Sequence, residues 1–251
     1  GGDHLIEAPE IVYNSKANEY LLAARRRHDN MILGQRVSSQ GQPVGNPVEI
    51  GRSGGPTFFD PAARARVVSV AYNSMEDRYI AAFGEPMSVQ IIMPDLSIDL
   101  QSAQLGVGSN PSIAYSNKSN VYLLAYEDRE IRSTGSENLS ALVIDNIAEA
   151  LTDIIRLRDQ EFAEESPRVA YNPDGDQFLV VWDERIGFSE NLNPQTLTDT
   201  IGQIVKADGT LIGEPIQIEA GTAYTLRQDV DYNPTSQVYL VVWKGDASGD
   251  F

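Results

Sequence analysis

One spacing, repeated five times, constrains this chain more than any other feature. Five segments read alike: PEIVYN at residues 9–14, VSVAYN at 68–73, PSIAYS at 111–116, PRVAYN at 167–172 and DVDYN at 229–233. Each carries a tyrosine (Tyr13, Tyr72, Tyr115, Tyr171, Tyr232), and seven residues later stands a second aromatic (Tyr20, Tyr79, Tyr122, Phe178, Tyr239). Each second aromatic opens a short apolar run: YLLAA, YIAAF, YLLAY, FLVVW and YLVVW. Chance rarely gives one spacing five times out of five, and a period of this size signals a repeat architecture.

The physics of one module follows from its pattern. The first run alternates apolar and polar residues, as a half-buried strand does. The link to the second run, as in Asn172-Pro173-Asp174-Gly175-Asp176, uses residues that favour tight reversals and positive φ. The first two strands, A and B, therefore form a hairpin. Strand B is apolar on both faces, so both faces must be covered. A third run, C, follows as ILGQRV (32–37), SVQII (88–92), LSALVI (139–144) and TIGQIV (200–205), and a fourth, D, as PVEI (47–50) and PIQI (215–218). The segment 147–158, which could pass for a helix, reads as a turn and strand D of module three. Four antiparallel strands in a meander are one propeller blade. The tyrosines recur at intervals averaging about 55 residues, somewhat longer than common propeller repeats.

The expected fold is thus all-β, a five-bladed β-propeller of four-stranded antiparallel blades in one domain over residues 1–251. The blades span about 9–50, 67–105, 111–157, 167–219 and 228–251 plus 4–8. That last assignment rests on Ile6-Glu7-Ala8, which repeats Ile218-Glu219-Ala220. Residues 4–8 read as an orphan strand D that closes the ring by pairing with the C-terminal module, removing exposed sheet edges. The chain also reads as part of a longer one.

Composition narrows the chemistry. Thirty-six acids against nineteen bases give a net charge of −17. That excess disfavours nucleic acid and anionic membrane surfaces, which reward Lys and Arg. No apolar run approaches the roughly 18 residues of a membrane helix, so no membrane insertion is expected. Without cysteine, disulfides, thiolate catalysis and Cys-ligated metals are excluded. With only His4 and His28, in unrelated contexts, a His-based triad or zinc site is disfavoured. No phosphate-binding glycine loop is present. No cofactor is expected. Calcium at an acidic loop such as 246–250 stays open, although no loop has the EF-hand spacing.

The pattern P-x-V-A-Y-N, then Y/F-L-V-V-W-x-[DE]-x-R, then I-x-G-x-x-V-x-x-x-G resembles tandem propeller-type repeats of large secreted or surface bacterial proteins. Module four carries it best: Pro167, Ala170, Tyr171, Trp182, Asp183, Arg185, Ile201, Gly202, Val205 and Gly209. Module one has Ala24 in place of the tryptophan, and modules two and three have Phe83 and Tyr126. The Asn-Pro-Asp-Gly turn is also similar to that of TolB-like propeller repeats. The resemblance implies a propeller in a secreted or cell-surface setting and no particular activity.

In a meander the A–B turns lie at one end of the sheet and the B–C and D–A connections at the other. The A–B turns keep one length, whereas residues 25–30, 127–138 and 183–199 differ, and the D–A link 51–66 is long. Binding tends to evolve on such loops. Arg27, Arg129 and Arg185 each stand three residues after strand B, with Asp128, Glu130, Asp183 and Glu184 beside them, and Asp60 lies on the long D–A link. The candidate ligand-binding set is Arg27, Asp60, Asp128, Arg129, Asp183 and Arg185, suited to sugars or anionic groups. The same residues also read as ion pairs between repeated modules. No catalytic residue and no metal ligand is named. Trp182 and Trp243 read as core. The functional expectation is a non-enzymatic extracellular recognition or spacer module with a carbohydrate or protein ligand. The alternative is a carbohydrate-active enzyme, a glycoside hydrolase or lyase, using carboxylates on the long-loop face.

Overall fold

A computed structural model describes residues 6–53, 67–84, 86–128, 138–158, 164–188, 196–220 and 224–246. All its regular structure is strand. Module one comprises β1 (Ile6–Asn14), β2 (Glu19–Arg26), β3 (Met31–Ser38) and β4 (Pro43–Arg52). Module two comprises β5 (Val68–Asn73), β6 (Arg78–Phe83), β7 (Met87–Ile92) and β8 (Ile98–Gly106). Module three comprises β9 (Gly108–Ser116), β10 (Val121–Asp128), β11 (Asn138–Ile144) and β12 (Ile155–Arg158). Module four comprises β13 (Glu164–Asn172), β14 (Gln177–Phe188), β15 (Thr196–Lys206) and β16 (Leu211–Glu219). Module five contributes β17 (Tyr224–Asn233) and β18 (Val238–Asp246). The first four modules are antiparallel four-stranded sheets in simple meander order; β17 and β18 form a two-stranded sheet. The segment 147–158 ends in β12, which pairs with β11.

Every A–B hairpin is built on the same side-chain chemistry. The Asn or Ser after the repeat tyrosine accepts hydrogen bonds from turn amides: Asn14 from Lys16 and Ala17, Asn73 from Met75 and Glu76, Ser116 from Ser119, Asn172 from Asp174 and Gly175, and Asn233 from Thr235 and Ser236. The last turn residue, Asn18, Asp77, Asn120, Asp176 or Gln237, has positive φ, which Asn and Asp tolerate best. In four modules the tyrosine hydroxyl donates to that residue's side chain: Tyr13 to Asn18 at 2.8 Å, Tyr72 to Asp77 at 2.7 Å, and Tyr115 to Asn120 and Tyr171 to Asp176 at 2.9 Å. Module five has Gln237 there, and Tyr232 instead donates to Asp174 of module four. The two repeat aromatics are cross-strand partners with ring centroids 4.9–5.2 Å apart, the tilted geometry aromatic pairs prefer.

The core is distributed over the junctions between modules. Leu21 and Ala23 pack forward on Tyr79, Ala81 and Phe83 of the next module. Ile80 and Ala82 pack forward on Tyr122, Leu124 and Tyr126. Leu123 and Ala125 meet Phe178, Val180 and Trp182, and Leu179 and Val181 meet Val230 and Val241. Strand B therefore needs apolar residues at consecutive positions. First strands of successive modules touch, β1 with β5, β5 with β9, β9 with β13 and β13 with β17.

The strand-C glycine of modules one and four has a packing reason. A Cβ at Gly34 would meet Ile50 at 2.9 Å, and one at Gly202 would meet Ile218 at 3.0 Å and Leu179 at 3.2 Å. The missing side chain lets the strand-D isoleucine lie on the strand-B leucine. The glutamine that follows spans the adjoining irregularity between C and D: Gln35 donates to the Val44 carbonyl and Gln203 to that of Ile212.

The expected closure strand is corrected. Ile6 and Glu7 pair with Arg26 and Arg25 in module one, so the described residues of 4–8 do not join the β17–β18 sheet. Ala8, at φ 49°, carries the chain past Pro9 in a bulge. What reads as a break before proline is the middle of a continuous strand. Asn110 before Pro111 and Ser166 before Pro167 repeat the device. The two tryptophans also differ. Trp182 is wholly buried, whereas Trp243 is 38% exposed.

Two expectations follow. Trp182→Ala should cost about 3–5 kcal/mol in urea unfolding, because a large indole is removed from a packed junction. Burial alone would raise the Asp176 carboxyl, but hydrogen bonds from Ser116, Ser119 and Tyr171 hold it below its ordinary value. The stability this contributes is present above about pH 4, the unfolded value, and is lost as pH falls through the depressed folded one. Asp176→Asn should therefore weaken the fold at neutral pH more than in acid. An equal loss at both pH values would refute the assignment.

Candidate active site

The B–C end of the modules gathers the buried acids. In modules one, three and four a proline bulge kinks the first strand there, a device common beside functional sites. In module three, Glu127 is buried between two bulges. Its carboxylate accepts from the Ser109 hydroxyl and the Ser166 amide, each at 2.9 Å, and from the Asn110 side chain. One carboxylate so fixes its own bulge and that of module four. The Gln228 side chain in turn donates to the Ser166 carbonyl, extending the tie to module five. In module one the position corresponding to Glu127 holds Arg25, which pairs with Glu7.

Strand alternation sorts the acids of β14. Phe178, Val180 and Trp182 face module three, and Glu184 continues that row; Asp183 and Arg185 belong to the opposite row. Arg158, at the end of β12, reaches across the junction and grips Glu184 with two hydrogen bonds, Nε to Oε2 at 2.8 Å and Nη2 to Oε1 at 3.0 Å. Glu184 is the cross-strand partner of Asp199 on β15, so both side chains share one sheet face, with Cβ atoms about 5 Å apart. Like charges so placed repel, and the bidentate guanidinium opposes that repulsion. Asp199 also accepts from Gln217 Nε2 at 2.7 Å. These groups line a cleft of about 330 Å³ whose other walls are Ile201, Glu214 and Pro215. Ile201 is the cross-strand partner of Trp182, so the cleft is floored by the packed junction. It lies on strands B, C and D, away from the contacts between first strands. Among the described residues its lining contains no aromatic side chain.

The sequence-predicted residues fall as follows. Arg27 is exposed in the turn between β2 and β3. Asp128 is buried and accepts from the Ser140 hydroxyl at 3.0 Å. Asp183 is buried and Arg185 half-buried, flanking Glu184 on the other face of β14. Asp60 and Arg129 lie outside the described residues. Much of the expected loop 183–199 is a hairpin extension: β14 and β15 stay paired out to Phe188 and Thr196. The residues that line the cleft and were not singled out are Arg158, Asp199 and Glu214. A period-two count from Phe178 would have placed Glu184 beside the junction; nothing in the sequence places Arg158 opposite it.

No family model matches the sequence, and no curated protein does. Solved structures do match in fold. The α-L-arabinanase of Penicillium chrysogenum complexed with arabinobiose superposes with a TM-score of 0.58 at 11% identity, over 92% of this chain and 73% of that one. The α-L-arabinofuranosidase of Lactobacillus brevis gives 0.56 at 12%, over 99% and 88%. An N-acetylgalactosamine deacetylase from F. plautii gives 0.55 at 12%, over 96% and 80%. At such identities the likeness establishes the fold, a propeller-type arrangement of antiparallel sheets. It also overturns the expectation of a non-enzymatic recognition or spacer module: the architecture is shared with carbohydrate-active enzymes, which favours the alternative.

Glu127→Ala should cost about 2–3 kcal/mol in urea unfolding, since it strands donors from two modules. Amide exchange should rise around both Ser109 and Ser166. A rise confined to module three would show that the carboxylate does not couple the bulges.

Proposed function

We propose that this protein is a carbohydrate-active enzyme that cleaves a glycosidic bond in the cleft between modules three and four. In this reading the five modules are successive blades of a propeller, and the setting is secreted or cell-surface. The observation that carries it is the pair Glu184 and Asp199, set opposite each other on one antiparallel ladder inside a concave site. Glycoside cleavage requires two carboxyl groups, one to protonate the leaving oxygen and one to attack the sugar or activate water. Facing positions on one ladder keep the two carboxyl groups on the same side of the sheet and near each other, as a pair acting on one glycosidic bond must be.

The roles divide by surroundings. Arg158 orients Glu184 through its two-pronged grip, which suits Glu184 to the nucleophile or base. Asp199 accepts from a neutral amide, that of Gln217, and takes the acid role. Exposed Glu214 at the rim meets substrate hydroxyls. The related folds of the arabinanase and the arabinofuranosidase make arabinose-containing oligosaccharides the first substrates to test.

The experiment is release of reducing ends from arabinan, arabino-oligosaccharides and a panel of other glycans. Glu184→Gln and Asp199→Asn should each lower kcat by about 10²–10⁴-fold, the usual weight of one acid–base group, with the fold retained by circular dichroism. Wild-type protein that cleaves nothing in the panel, or variants that retain full activity, would overturn the assignment.

A further inference from the structure

The acid of a glycosidic cleavage needs a neighbour that orients it without holding it ionised. A cation beside a carboxyl group favours its charged form, which suits Glu184 under Arg158 but would spoil a proton donor. Asp199 is served differently. Gln217 Nε2 donates to Asp199 Oδ2 at 2.7 Å. The amide is neutral, and the carbonyl oxygen of a carboxyl group accepts from it in the protonated state as well as the ionised one. The repeat sets a comparison inside the chain. The positions of Glu184, Asp199 and Gln217 in module four are those of Arg26, Met31 and Glu49 in module one, where Arg26 and Met31 are again cross-strand partners. Module one, with Met31 in place of the acid, carries a carboxylate, Glu49, in place of the amide, and that carboxylate pairs with Arg52 at 2.7 Å. Of these two modules, the one with the acid is the one with the donor across from it. Packing aims the donor there. The register slip between β15 and β16 at Thr200 and Ile201 sets Ile218 against Gly202 on one face and leaves Gln217 lining the cleft on the other. The charged side chains that line the cleft around Asp199 are Arg158, Glu184 and Glu214.

We propose that Gln217 is a positioning residue for the proton-donating step: by bonding Oδ2 it leaves Oδ1 of Asp199 to carry the proton and turns that oxygen toward the glycosidic oxygen. This rests on the assignment of Asp199 as the acid. The O–H bond at Oδ1 breaks as the proton passes to the glycosidic oxygen, which keeps the electron pair of its bond to the anomeric carbon. Glu184, or a water that it deprotonates, supplies the pair for the new bond there. Asp199 is left as a carboxylate, still bonded by the Gln217 amide, and takes a proton back from water before the next turnover. A carboxyl group turned the other way would present its carbonyl oxygen, which has no proton to give.

Leaving-group dependence tests this. Dinitrophenolate is stable enough to depart without a proton, whereas the alkoxide of a sugar is not. Wild-type protein is assayed on the oligosaccharide it cleaves and on the dinitrophenyl glycoside of the same sugar, arabinose first. Gln217→Met, which removes the donor, should lower kcat/KM on the oligosaccharide about tenfold. Gln217→Lys, which sets a cation against Asp199, should lower it about 10²-fold or more. Both variants should cleave the dinitrophenyl glycoside with the wild-type kcat/KM and keep the wild-type circular dichroism. Asp199→Asn should show the same contrast between substrates. Gln217 variants that lose equally on both substrates, or keep wild-type activity on both, overturn the proposal, and the acid role stands if Asp199→Asn still shows the contrast. Wild-type protein that cleaves neither substrate, or Asp199→Asn protein that shows no contrast, overturns the acid role and this proposal with it.

Discussion

Strand B is apolar on both faces, and everything else in this structure answers that constraint. A sheet with such a strand cannot be left half in water, so each module needs a neighbour in front and another behind. The chain supplies them by repeating itself. Leu21 and Ala23 are covered only because Tyr79, Ala81 and Phe83 follow, and those in turn need module one behind them. Stability of this kind is close to a sum over neighbours, and it accounts for a core split into four layers.

The two ends of each module are held by different chemistry. At the hairpin end, short polar side chains close the turn and the tyrosine hydroxyl locks it, nearly identically each time. At the other end the proline bulges free the sequence from the repeat. The position after the apolar run of strand B is Arg25, Gly84, Glu127, Asp183 or Lys244 as the module changes. A site needs such asymmetry. Among the described residues, only at the third junction does an arginine from strand D meet a glutamate from the next strand B, with an aspartate across the ladder.

The hairpins were legible because their signal is local: a tyrosine, seven residues, an aromatic, and turn residues between. The repeated Ile-Glu-Ala does not mark a closing strand D at residues 6–8, because Ala8 at positive φ makes a bulge inside one strand that pairs with β2. The candidate site was half legible. Asp183 and Arg185 belong to the candidate set read from the sequence, and Glu184 stands between them. The facing of side chains depends on alternation, which sends Glu184 to one side and its two neighbours to the other.

By itself the sequence determined the module: its four strands, its turn chemistry, the aromatic pair and the need for cover on both faces of strand B. These follow from spacing and from residue type, over distances a hairpin spans. Tertiary structure decided which carboxylates oppose each other and which arginine reaches them. Arg158 and Glu184 are 26 residues apart in sequence and belong to different modules. Their meeting is set by how two sheets stack, a relation carried by packing across the junction that no local pattern records.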